Sequence, residues 1–156
     1  MKNNSFTFIS LQYWKRQISR FTMRTIIQTS AAPKAIGPYS QAVLVDRTLY
    51  ISGQLGLCPS SMELIDGGAD KQCRQALLNM GEILKAAGAT YDDVVKTTIF
   101  LSDMRNWNTI NDVYKELFLN TVFKENYPAR SAFQVAALPK NAYVEIEAVA
   151  VVGSNK

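Results

Sequence analysis

Val144-Glu145-Ile146-Glu147-Ala148-Val149-Ala150-Val151-Val152 begins as a regular alternation and then stops alternating. In an extended chain Val144, Ile146, Ala148, Ala150 and Val152 share one face, with Glu145 and Glu147 on the other, as a half-buried strand requires. Val149 and Val151 then make the second face apolar as well. A strand apolar on both sides needs cover on both sides.

Working outward, Val94 to Leu101 is rich in Val, Ile and Thr and is expected to be a strand. Phe133 to Ala137, just before the final strand, is the other candidate near the end of the chain. Towards the start, Arg24 to Gln28 suits a strand. Ala42 to Val45 and Leu49 to Gln54 flank Asp46-Arg47 as a β-hairpin. Pro33, Gly37 and Pro38 make Ala31 to Tyr39 an extended loop.

Two stretches carry the period of a helix instead. Cys73, Ala76, Leu77, Met80, Ile83, Leu84 and Ala87 form one buried face, closed by Gly88 at the C-cap. Trp107, Ile110, Val113, Tyr114, Leu117 and Phe118 form a second, with Asn106 available as N-cap. The order β, β-β, α, β, α, β-β predicts a two-layer α+β sandwich, a mixed sheet with both helices on one face. With no third helix for the other face, association through the sheet is the simplest cover, in closed cyclic symmetry.

A chain of 156 residues with 47% hydrophobic content suits one folded domain, residues 23–156, preceded by an extension, residues 1–22. The extension holds Lys2, Lys15, Arg16 and Arg20 and no acid, and the 13 remaining bases balance the 13 acids. Leu11, Trp14, Ile18 and Phe21 form a helical stripe there, with Arg16 and Arg20 opposite. That pattern fits an organelle transit peptide, a disordered extension or sequence upstream of a start at Met23. The expected location is accordingly the cytoplasm or the mitochondrial matrix. No run reaches the roughly 18 apolar residues of a membrane span, so no membrane partner is expected. Cys58 and Cys73 lack metal-ligand spacing and are expected as reduced thiols.

Histidine is absent. That excludes Ser-His-Asp triads, His-zinc sites and paired-histidine ribonuclease chemistry, leaving proton transfer to Glu, Asp, Tyr, Lys, Cys, backbone or water. Among such residues Arg130 offers a planar fork for a carboxylate, or a partner for a structural ion pair. Glu145 and Glu147 point the same way, either as a buried base or as outward residues paired to lysine. Tyr39 follows Gly37-Pro38 on a loop, where it reaches a cleft or only packs. Ser52 and Gly53 suit a close backbone approach or a bulge. Asn111 lies beside an apolar helical stripe, where an amide is costly unless bonded.

Five stretches together resemble one family, the RidA/YjgF/UK114 proteins, 2-iminobutanoate/2-iminopropanoate deaminases. They are Ala35-Ile36-Gly37-Pro38-Tyr39-Ser40-Gln41-Ala42, Ile51-Ser52-Gly53-Gln54, Val95-Lys96-Thr97-Thr98-Ile99-Phe100-Leu101, Pro128-Ala129-Arg130-Ser131 and Val144-Glu145-Ile146-Glu147-Ala148. The resemblance runs from about Arg24 to Gly153. It implies a chorismate-mutase-like fold and a homotrimer with a central barrel-like core and clefts between subunits. It implies hydrolysis of reactive 2-imino and enamino acids to 2-keto acids and ammonia, without cofactor or metal. Carried over by motif, Arg130 would bind the substrate carboxylate and Glu145 would position water. Tyr39, Ser52, Gly53, Asn111, Ser131 and Ala132 would line the pocket. Some relatives have cysteine where this chain has Ala132, which removes any thiol role there and leaves its backbone N–H and C=O as the groups for water or substrate. RNA cleavage or translation inhibition, and chaperone-like or regulatory binding, have also been attributed to relatives. The neutral charge after Met23 speaks against nucleic acid.

Overall fold

The computed structural model describes residues 23–119 and 127–153. The stripe read over residues 1–22 and the side chain of Phe118 lie outside the described residues. Within them the chain runs β1 (Arg24–Ile27), β2 (Ala42–Val45), β3 (Thr48–Leu55), α1 (Ala69–Ala86), β4 (Val94–Leu101), α2 (Trp107–Leu119), β5 (Ala129–Gln134) and β6 (Val144–Val151). The strands form one mixed sheet in the order β1-β2-β3-β6-β4-β5, antiparallel except where β4 and β5 run parallel. The sequence of elements and their types agree with the reading above.

Apart from single-residue shifts at the ends of β1, β3 and β6, three details differ from expectation, each for a physical reason. The fifth strand is Ala129–Gln134, four residues earlier than Phe133–Ala137, because it is an exposed edge strand whose Ala, Ser and Gln give no apolar run. Arg130 and Ser131 therefore stand on a strand, beside Thr97 and Thr98 of β4. Helix α2 does not start on Asn106 as its cap. A 3-10 turn, Met104–Asn106, leads into it, and Asp103 caps that turn by accepting the Arg105 N–H at 2.8 Å. Helix α1 begins at Ala69, with Gly68 as a cap that offers no side-chain acceptor. Its far end is as expected. Ala87 is the last half-helical residue, Gly88 follows at φ +72°, and Ala89 N–H closes on the Leu84 carbonyl in a Schellman motif.

One core lies between helices and sheet, where Leu77, Met80, Ile83 and Leu84 of α1 and Ile110 of α2 meet Leu49, Ile99, Leu101, Val144 and Ile146, all fully buried. Cys73 belongs to this core, and desolvation pushes its thiol up to about 12. The register sorts the other sheet face unambiguously. Ile26, Val43, Tyr50, Val149 and Lys96 lie in one row across β1, β2, β3, β6 and β4. Ile26, Tyr50 and Phe133 are about half exposed there. No helix of the described residues is long and apolar enough to cross a membrane.

Candidate active site

Arg130 stands next to fully buried Thr97 in the parallel register and so projects to the helix side of the sheet. Its guanidinium carbon lies 4.8 Å from the Trp107 ring centroid and 4.9 Å from that of Tyr114, both on α2. Among the described residues no carboxylate lies within ion-pair distance of it, so the ion-pair alternative finds no partner there. Asn111, Tyr114, Lys115, Tyr127, Pro128 and Arg130 line a cleft of about 430 Å³. Asn111 Oδ1 is buried at this cleft without a hydrogen-bond partner among the described residues. An orphaned amide oxygen costs about 1–3 kcal/mol unless something binds it.

Glu145 belongs to the opposite face. Its neighbours Val144 and Ile146 point into the helix-side core, so β-alternation turns Glu145 and Glu147 to the other surface, as expected. There a bulge between Ile51 and Gln54 sets Ser52 and Gly53 against β6. A Cβ on Gly53 would fall 1.8 Å from Glu145 Oε1. The missing side chain thus makes room for the Glu145 carboxyl, and the bulge and close-approach readings of Gly53 are both met by one feature. Ile36, Tyr39, Ser52, Gly53, Leu55, Pro139 and Glu145 line a second cleft of about 210 Å³. Desolvation first, then the charge of Glu147, pushes the Glu145 carboxyl above the usual carboxylate range.

Buried Gln41 fixes the loop that carries Tyr39. Its amide donates to the Thr29, Ala32 and Pro33 carbonyls and accepts the Thr29 N–H. Ser52 ties the same loop to the bulge, its hydroxyl donating to the Ser40 carbonyl at 2.7 Å. The Tyr39 phenol oxygen accepts the Ile36 N–H at 3.2 Å and folds over the loop.

Two expected site residues line neither cleft. Ser131, between Arg130 and Ala132, faces the bare side of the sheet, where Lys96 donates to its hydroxyl at 2.7 Å. Ala132 pairs with Ile99 and packs against the core. Trp107 and Tyr114, read from the sequence only as a core stripe, turn out to flank the Arg130 guanidinium. A tyrosine inside an apolar stripe was the available signal, since a buried phenol needs a partner. Tyr114 finds it in the Thr97 hydroxyl at 2.8 Å. No group of three or more His, Cys, Asp or Glu side chains converges among the described residues.

One protomer therefore holds two clefts on opposite faces of its sheet. Arg130 and Asn111 belong to one, and Glu145, Gly53 and Tyr39 to the other.

Residues 29–152 match the family described as Endoribonuclease L-PSP. The human 2-iminobutanoate/2-iminopropanoate deaminase is 59% identical over 131 residues, covering 84% of this chain and 92% of its own. Among solved structures, the Rid-family protein YyfA of Yersinia pestis superposes with a TM-score of 0.78 at 45% identity, covering 83% of this chain and 100% of its own. E. coli TdcF, crystallised with bound serine, gives 0.76 at 42% identity, covering 81% of this chain and 98% of its own. On this match across most of its length, the chain belongs to the RidA/YjgF/UK114 family.

Proposed function

We propose that this protein hydrolyses reactive 2-imino acids to 2-keto acids and ammonia, in sites that two subunits complete together. The observation that carries it is the separation of Arg130 and Glu145 on opposite sheet faces, which no single protomer can bring onto one small substrate. A closed trimer, with the bare faces turned inwards around a barrel-like core as in a chorismate-mutase-like assembly, covers Ile26, Tyr50 and Phe133. It sets the Arg130 cleft of one subunit against the Glu145 cleft of the next. The activity named for the human relative and the serine held by TdcF support a short α-nitrogen carboxylate as ligand.

In this site the Arg130 fork binds the substrate carboxylate through two parallel hydrogen bonds and so fixes the neighbouring imine carbon. Ionised Glu145 accepts a proton from water as its oxygen bonds to that carbon. The C=N electron pair moves to nitrogen, which takes the proton back from Glu145, and the new hydroxyl then passes its proton to the amine as the carbonyl forms. The tetrahedral intermediate thereby loses ammonia and leaves the keto acid. Enamines enter after tautomerising to the imine. Since free imines already hydrolyse in water, positioning supplies the acceleration. The raised Glu145 carboxyl must ionise to act, so the rate falls as pH drops through its elevated value. Residues 1–22, basic and free of acid, direct the chain to an organelle such as the mitochondrion, the folded domain being residues 23–156.

The test couples the protein to a serine or threonine dehydratase and follows keto-acid release. Wild type accelerates it, and Arg130→Ala removes the acceleration while the assembly persists. Unchanged activity in Arg130→Ala refutes the assignment. The RNA role suggested by the family's description predicts a steep loss of RNA binding with salt. Absent or salt-insensitive binding of single-stranded RNA by the chain lacking residues 1–22 discards that role.

A further inference from the structure

We infer that Trp107 and Tyr114 are positioning residues for Arg130, an assignment that rests on Arg130 being the carboxylate-binding group. The two aromatics stand seven residues apart on α2, so their Cα atoms are about 10.5 Å apart along the axis. The guanidinium carbon lies over the Trp107 ring, 4.8 Å from its centroid, and over the Tyr114 ring, 4.9 Å from its centroid, so both rings face the charge. Ring faces carry the negative part of the aromatic quadrupole and hold a cation without giving it a hydrogen-bond acceptor. A carboxylate in the same place would occupy the N–H fork and neutralise it. Two rings stabilise the charge and leave the in-plane N–H groups for a ligand.

The clamp is itself anchored. The Tyr114 hydroxyl meets the Thr97 hydroxyl at 2.8 Å, and Thr97 is fully buried. Thr97 is also the residue beside Arg130 in the β4/β5 register. One pair of adjacent strand positions thus sets the guanidinium and one of its flanking rings. Freed from the rings, the arginine gains rotamers, and binding a small carboxylate then carries the cost of ordering it.

The experiment replaces Trp107 with tryptophans of increasing fluorine content in full-length chain carrying Trp14→Phe. Fluorine withdraws charge from the ring face and nearly preserves its shape. Binding of 2-oxobutanoate, a stable keto acid, is measured alongside KM and kcat for the imine. Keto-acid binding should weaken and KM should rise step by step with fluorination, by about tenfold in all, with kcat within about twofold. Thr97→Val should raise KM about threefold in the same way. A KM that ignores fluorine and Thr97→Val, or a loss confined to kcat and melting temperature, overturns the positioning role. Arg130→Ala keeps the two levels apart. If it binds 2-oxobutanoate as wild type does, the carboxylate-binding role of Arg130 falls. If only Arg130→Ala weakens binding, that role stands and the clamp falls.

Discussion

The two clefts are built from different materials. On the helix side, Arg130 is held by side chains, the Trp107 and Tyr114 rings and the Thr97 hydroxyl behind them. On the bare side, the Glu145 carboxyl packs against backbone, at a bulge that leaves out one Cβ and beside a loop clasped by Gln41. A side-chain cradle tolerates graded change, because a smaller or weaker ring still leaves a guanidinium in place. A backbone cradle has no such range. Any atom added at Gly53 occupies the space of the Glu145 carboxyl.

That contrast predicts unequal responses. The largest is expected for Arg130→Ala, which should lower kcat/KM on the order of 10³-fold in the coupled assay by removing charge and orientation together. Gly53→Ala comes next. It should displace Glu145 by about an ångström and lower kcat about 10²-fold with KM little changed, and a crystal structure should show the carboxyl moved. Activity equal to wild type would show that the bulge does not fix the carboxylate.

Smaller effects sharpen the comparison. Glu147 contributes the second cause of the raised Glu145 carboxyl, so Glu147→Gln should move the acid limb of the pH–rate profile to lower pH with the plateau within about threefold. A shift to higher pH would contradict the assignment of the limb to Glu145. Ser131→Ala should be the mildest, within about twofold, because that hydroxyl meets Lys96 and not the Arg130 cleft.

The fold was legible wherever apolar period was strong. Cys73 to Ala87 announced α1, and Val144 to Val152 announced β6. Strand β5 was misplaced because an edge strand exposing Ala129, Ser131 and Gln134 carries no such period, and only pairing with β4 reveals it. Arg130, Glu145 and Asn111 were legible only as residue types with a chemical use. Their division between two faces was not, since it depends on which strand each occupies and on the register that joins them. Ser131 shows the same limit from the other side. The resemblance placed it in the same pocket as Arg130, yet alternation along β5 turns it to the other face. Trp107 and Tyr114 were hidden for a different reason, since a helical stripe that packs a core and one that flanks a guanidinium have the same period.

Subunit complementation tests most directly whether two copies share each site. Arg130→Ala and Glu145→Gln chains, each inactive alone, are mixed through unfolding and reassembly in equal amounts. In a random closed trimer about one quarter of the clefts join an intact Arg130 from one chain to an intact Glu145 from its neighbour. The account predicts recovery of about that fraction of wild-type activity. No recovery from fully reassembled trimers would contradict it.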